Sequence, residues 1–262
     1  MSKFKNKVVW ITGASSGIGE ALTIAFSNEG AKIVLSSRNE NELQRVANNC
    51  KSETLIIPLD LADQTDFKSK AAKVNSHFGA IDFLINNGGI SQRSEAHETS
   101  MEVDRKLMEV NYFGAVALTK AVLPYMQKQK SGHFISISSL SGKFGFFLRS
   151  AYSASKFALV GFYESLRLEE QKNNIKVSVV YPGFILTKIS QNALSGSGEK
   201  HGKLDNNQKG GISAEKCALD IIKGIKKNKH EILTGGTEKW GVLMHRLFPK
   251  LFYKILKNKK GN

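Results

Sequence analysis

Short, mostly apolar runs rich in β-branched residues recur along the chain at residues 8–11, 33–35, 55–57, 81–85, 134–137, 177–180 and 232–233. Apolar runs of this length, without strict alternation, predict strands buried on both faces of a sheet. Between them the apolar positions return every three or four residues, as in 18–29 and 104–128, which predicts helices. Gly30 follows the first of these segments and suits a left-handed helix C-terminus. The alternation of strand and helix runs through the whole chain. It predicts an α/β protein built on one doubly wound parallel sheet of about seven strands, with right-handed crossovers and helices on both faces. In such a sheet ligands bind beyond the carboxyl ends of the strands, where the strand order reverses.

Two segments fall outside the alternation. Residues 190–211, rich in Gly, Ser, Asn and Lys, form a long irregular stretch after the sixth strand, and read equally as a mobile lid over a substrate or as plain surface disorder. The last segment, 237–262, is a basic amphipathic tail. The expected organisation is therefore a dinucleotide-binding and catalytic unit over 1–236, with the tail appended.

Composition changes this picture little. With 262 residues, 41% hydrophobic and 23% charged, the chain can bury a substantial core, and disorder is excluded. A net charge of +15 raises the question of nucleic acid. Ten of those charges, however, belong to Lys3, Lys5, Lys7, Lys239, Arg246, Lys250, Lys254, Lys257, Lys259 and Lys260, in end segments that carry no acid. What remains is a mixed surface, and no nucleic-acid partner is expected. Cys50 and Cys217 lack any metal-ligand or CxxC spacing, so reduced thiols in a cytoplasmic setting are expected, and no metal. The N-terminus lacks a secretory signal pattern, and no run approaches the length of a spanning helix.

The chemistry begins directly after the first strand. Thr12-Gly13-Ala14-Ser15-Ser16-Gly17-Ile18-Gly19 leads into a helix, and its glycines allow a sharp turn, close backbone approach to a pyrophosphate and tight helix packing. Taken alone, such a turn is also compatible with a simple tight connection. Further on, Tyr152 and Lys156 stand at i and i+4 of a helical pattern and share one face. A tyrosine titrating near 10 must drop by about three pH units, or about 4 kcal/mol, to exchange protons at neutral pH, and a neighbouring ammonium favours that shift. Ser138-Ser139 ends the fifth strand, thirteen residues before Tyr152.

The GxxxGxG turn, the serine and the YxxxK pair, in this order and context, resemble the short-chain dehydrogenase/reductases over roughly residues 5–235. The resemblance implies the Rossmann fold and a proton-transfer set of Asn111, Ser139, Tyr152 and Lys156. Ser139 would orient a substrate carbonyl, Tyr152 exchange the proton, Lys156 stabilise the phenolate and hold the nicotinamide ribose, and Asn111 hold a relay water. It implies a cofactor cradle of Gly13, Ser15, Ser16, Gly17, Ile18, Gly19, Ser37, Arg38, Asp60, Leu61, Asn87 and Gly88, completed by Tyr152, Lys156, Ile185 and Thr187. Ser37 stands where NAD-preferring members carry aspartate, and Arg38 beside it offers a bidentate partner for a 2′-phosphate, so NADP(H) is the expected cofactor. The long tail and the PGFILT turn at 182–187 are most similar to the hydroxysteroid-dehydrogenase-like and carbonyl-reductase-like branch. Interconversion of a carbonyl and a secondary alcohol is expected, and Phe144, Phe146, Phe147 and Phe184 near the expected cleft hint at an apolar substrate. The alternatives are an NAD-dependent alcohol dehydrogenase of the same family and a non-catalytic NADP-binding sensor or scaffold.

In the tail, Trp240, Leu243, Met244, Leu247, Phe248, Leu251 and Ile255 fall at helical spacing, with Pro249 set to kink or divide the helix. Its apolar face could pack on the chain itself, on a second subunit of a homodimer or homotetramer, or peripherally on a membrane through residues 239–258.

Overall fold

The computed structural model describes residues 2–257; Lys259 and Lys260 of the basic tail lie outside the described residues. Seven parallel strands form one sheet in the order β3-β2-β1-β4-β5-β6-β7. They are β1 Val8–Thr12, β2 Lys32–Ser36, β3 Thr54–Ile56, β4 Phe83–Asn86, β5 Gly132–Ile137, β6 Ile175–Pro182 and β7 Glu231–Thr234. All seven apolar runs are strands, and the order reverses between β1 and β4, which pair through Val9 to Ile11.

Helices cover both faces. On one side α1 (Gly17–Asn28), α2 (Glu40–Ala47) and α8 (Ala214–Lys226) bury Leu22, Phe26, Leu43, Ile221 and Ile225 against Val9, Ile33 and Leu35. On the other, α3 (Phe67–Phe78), α5 (Gly114–Gln129) and α6 (Ser150–Glu169) bury Val74, Leu118, Leu159 and Tyr163 against Trp10, Leu84 and Phe134. Starts follow capping chemistry: Asn39 and Ser213 accept hydrogen bonds from the amides of Glu42 and Lys216, at the heads of α2 and α8. A buried polar clamp locks α5 and α6 onto β4. Asn86 Nδ2 donates to Thr119 Oγ1 at 3.0 Å and to the Tyr163 hydroxyl at 2.7 Å.

The segment expected as one helix over 104–128 begins earlier and is not uniform. Helix α4 (Met101–Met108) runs into a wide π-turn at Glu109–Phe113 and continues as α5. The tail is divided as Pro249 requires: α9 (Gly241–Leu247) and α10 (Pro249–Lys257) meet at Phe248. A four-residue helix, α7 (Asn206–Lys209), lies within the 190–211 stretch. No helix among the described residues is long and apolar enough to cross a membrane.

His133 sits buried at the start of β5 with Nε2 2.8 Å from Ser178 Oγ, and burial pushes its imidazole down to about 3. The folded state therefore refuses a proton that the unfolded chain accepts below about 6.5. The sign follows: stability is complete above pH 6.5 and is lost as the pH falls from there toward 3. Thermal denaturation from pH 8 to pH 4 should show a falling Tm below about pH 6.5, with a shallower fall in His133→Gln. Identical slopes would exclude His133 as a source.

Candidate functional site

The glycine turn occupies the point where β1 and β4 diverge. Thr12 Oγ1 accepts from the amides of Asn87 at 3.0 Å and Gly88 at 2.9 Å, and Asn87 Nδ2 donates to the Thr12 carbonyl at 2.9 Å. These bonds join the two strand ends just before the chain turns into α1. Gly13 and Gly17 have φ of 65° and 56°, a region that side chains with Cβ avoid. At Gly19 a Cβ would meet the Gly13 carbonyl oxygen, so only glycine lets α1 pack this closely under the turn. Ser16 precedes α1 without capping it through its side chain. A twelve-residue helix thus presents its amino end and the Ser16 hydroxyl toward the cleft, as an anion site requires.

Arg38 follows β2 and lies exposed at the rim of the cleft. It makes no ion pair with the described residues. Arg45 nearby differs, being held by Glu20 at 2.7 Å and Glu42 at 2.8 Å. The Ser37 hydroxyl exchanges long contacts of 3.3 and 3.4 Å with the Asn39 backbone, just before α2. Asp60 Oδ1 accepts from the Ala62 amide at 3.0 Å, and Leu61 is buried against Gly88 and Gly114.

Across the cleft, α6 carries Tyr152 and Lys156, both buried. The Lys156 ammonium donates to the Ile137 carbonyl at 2.9 Å and lies 5.7 Å from the centre of the Tyr152 ring. Burial pushes Lys156 down to about 8. Burial also pushes the Tyr152 phenol up, while the Arg149 guanidinium, 5.8 Å from the ring centre, and the Ser139 hydroxyl pull it back. The lowering that neutral-pH proton exchange needs is thus not met by these residues alone. Ser139 follows β5 and accepts from the Ser141 amide at 3.1 Å, which holds its hydroxyl at the cleft wall.

Asn111 lies in the π-turn and is tied to two neighbouring segments. Its Oδ1 accepts from the Ile90 amide at 2.8 Å, and its Nδ2 donates to the Ile90 carbonyl and to Ser155 Oγ, each at 3.0 Å. It stands behind the loop that follows β4 rather than at the wall of the cleft, and Gly19 likewise lies behind the turn. Every other predicted catalytic or cofactor residue lines one cleft of about 1950 Å³, as do Phe144, Phe146 and Phe184, whereas Phe147, expected near it, lies exposed and is not part of its wall. Gly89 lies between Asn111 and Lys156, and a Cβ there would come within 2.9 Å of Asn111 Oδ1.

Beyond β6, Ile185 is buried and bridges Ile212, and Thr187 packs beside Gly17. The turn at 182–184 is held by Glu238, whose Oε1 accepts from the amides of Phe184 at 2.8 Å and Gly236 at 3.0 Å. The 190–211 stretch is strapped to the loop after β4 and to the head of α6: Leu194 bridges Gln92, and Asp205 pairs with Arg93 at 3.3 Å and Arg149 at 2.7 Å.

Gln92, Arg149, Asp205 and Glu238 are absent from the sequence reading, because their roles come from contacts between distant segments. Gln92 is fully buried, and its Oε1 accepts from the amides of Ala151 at 2.9 Å and Tyr152 at 3.4 Å. Its Nε2 donates to Thr99 Oγ1 at 2.7 Å. It caps α6 in place of a local residue, since Arg149 before the helix makes no side-chain cap.

Fold, glycine cradle and buried tyrosine–lysine face together define a dinucleotide-dependent oxidoreductase. The sequence profile of the short chain dehydrogenase family matches residues 7–197, and the chain belongs to that family. It is similar to the dehydrogenase/reductase SDR family protein 7-like of Anopheles gambiae, 44% identical over 97% of this chain and 83% of that protein. It is also similar to the dehydrogenase/reductase SDR family member 7B of Mus musculus, 43% identical over 96% of this chain and 80% of that one. A solved short-chain dehydrogenase from Streptomyces avermitilis superposes with a TM-score of 0.83 at 30% identity, covering 99% of this chain and 97% of that one. A short chain dehydrogenase/reductase from Burkholderia phymatum, in complex with NAD, shares the fold with a TM-score of 0.84 at 22% identity, covering 96% of each chain.

Replacing Gln92 by alanine strands the first amides of α6, while Thr99 keeps its bonds to Glu95 and Ser94. The variant should lose about 2 kcal/mol and about 5 °C in Tm. An unchanged melting curve would show that water or a shifted backbone satisfies them.

Proposed function

We propose that the protein interconverts a carbonyl and a secondary alcohol on a small, largely apolar molecule, using NADP(H), with Tyr152 as the general acid and base. The observation that carries this reading is the convergence of Ser139, Tyr152 and Lys156 with the glycine turn and the free Arg38 on one cleft. The residues present fit a nicotinamide dinucleotide. Gly13, Gly17 and Gly88 leave room at the diverging strand ends, and a Cβ at Gly88 would run into Leu61. Gly13, Ser15, Ser16, Gly17 and Ile18 would hold the pyrophosphate at the head of α1. Arg38, with Ser37 beside it, would take a 2′-phosphate, where an aspartate at 37 would repel it. Asp60 and Leu61 would flank the adenine, Asn87 and Gly88 the adjoining ribose, and Ile185 and Thr187 the nicotinamide amide.

When bound, NADPH supplies the hydride, and its oxidised form adds positive charge beside the phenol. Ser139 donates a hydrogen bond to the substrate carbonyl and orients it beside Tyr152. The Tyr152 hydroxyl gives its proton to the oxygen as the carbonyl carbon is reduced. Lys156, together with Arg149, stabilises the phenolate left behind. Asn111 acts from behind: its side chain ties the π-turn to Ile90 and Ser155, and the residue would hold the relay water that returns a proton toward Lys156. Phe144, Phe146 and Phe184 line the substrate end and favour apolar groups there.

The reading includes a homodimer or homotetramer, a cytoplasmic setting in which Cys50 and Cys217 stay free, and peripheral membrane contact through residues 239–258. Exposed Phe157, Gly161 and Leu168 along α6, with Phe113 at the head of α5, support self-association.

Tyr152→Phe should bind NADPH normally and lose turnover by roughly 10³-fold or more, read as NADPH oxidation over a panel of ketones, aldehydes and quinones. Near-normal turnover sinks the assignment of Tyr152. Arg38→Leu should weaken NADPH binding roughly 10- to 100-fold and leave NADH binding nearly unchanged. Tighter binding of NADH than NADPH by the parent chain would reverse the cofactor assignment.

A further inference from the structure

Among the described residues, seven of the fifteen large hydrophobic side chains left exposed fall between Trp240 and Ile255. The tail is nevertheless anchored. Phe252 is buried with its ring 4.7 Å from that of Phe144, and Val242, Met244 and Leu256 pack against the same core. The intramolecular contacts of α9 and α10 are therefore made, and a separate apolar stripe remains. Leu243 and Leu247 recur at four residues on α9, and Leu251 and Ile255 do so on α10.

The charge pattern says what this stripe meets. Residues 239–257 carry Lys239, Arg246, Lys250, Lys254 and Lys257 and no acid. Protein interfaces are depleted in lysine, and a twofold contact would set two such basic segments against each other. An apolar stripe with a tryptophan, bordered by lysine and arginine, matches a bilayer surface whose headgroups are anionic.

The tail is also one wall of the cleft. Trp240, Met244, Phe252 and Ile255 line the same space as Tyr152, Phe146 and Phe184. We propose that residues 240–257 seat the protein on an anionic phospholipid bilayer with the cleft mouth against it, so that the substrate is an amphiphile whose apolar part enters from the membrane. The substrate class rests on the carbonyl-reduction reading; the docking surface does not.

The test uses the full chain with phosphatidylcholine vesicles, with and without phosphatidylserine. The parent should co-sediment with the phosphatidylserine vesicles, release in high salt, and show a blue-shifted tryptophan emission. Since Trp10 is fully buried, that shift reports Trp240. The double variant Leu247→Glu/Leu251→Glu changes two exposed positions outside the cleft. It should keep its circular dichroism, its NADPH binding and its turnover of a short soluble ketone, while vesicle binding falls at least roughly tenfold. In the parent alone, phosphatidylserine vesicles should raise kcat/KM for a long-chain methyl ketone relative to a short one. Equal sedimentation of parent and variant, or of neither, overturns the docking surface. A parent dimer that the double variant splits, read by light scattering, gives the face to a second copy and overturns it too. Docking without the long-chain gain overturns the substrate class, whereas absence of ketone turnover overturns the carbonyl reading and leaves the docking result standing.

Discussion

The interaction on which the rest of the site depends is the bond between two strand ends. A parallel sheet that reverses its order leaves a gap where the chain departs to opposite faces, and here the Thr12 hydroxyl and the Asn87 amide group close that gap. Because β1 and β4 are held together one residue past their ladder, the turns that follow them are fixed relative to each other. Gly13 and Gly88 can then pack almost backbone to backbone, with a Cβ at Gly13 only 2.9 Å from Gly88 Cα. The sheet supplies rigidity; the hydroxyl and the amide turn that rigidity into a cradle.

The electrostatics of the opposite wall show a second constraint. Tyr152 and Lys156 are both buried, and burial opposes the charged form of each. Against this, the Arg149 guanidinium and the Ser139 hydroxyl favour the phenolate, while the Lys156 ammonium, 5.7 Å from the ring centre, is held by the Ile137 carbonyl. Arg149 is shared with Asp205, which belongs to the 190–211 stretch. The charge felt by the tyrosine and the placement of that stretch are therefore linked through a single carboxylate.

What could be read from the chain alone follows from which interactions are local. Buried strands announce themselves because both of their faces are apolar, and the glycine turn and the Tyr152–Lys156 spacing do so because each function sits within one turn or one helix. Gln92 gave no such signal. A glutamine in a loop reads as a solvated residue, and only the fold shows it beneath the first amides of α6. The π-turn was equally silent, since its apolar spacing differs from that of an α-helix by one residue. The 190–211 stretch read as irregular, and so it is, but its attachments through Leu194 and Asp205 depend on Gln92, Arg93 and Arg149, more than forty positions away.

That π-turn has a genetic consequence. A five-residue turn inside a continuous helix contains one residue more than an α-helix of the same rise. Deleting Val110 or Tyr112 would let the segment rewind as a regular helix and disturb the bonds of Asn111 to Ile90 and Ser155, while leaving the hydrophobic pattern of α5 intact. Point substitutions there would be felt one side chain at a time, but a one-codon deletion would break the tie that Asn111 makes between the loop after β4 and α6. Length, rather than composition, is what this stretch of the gene has to preserve.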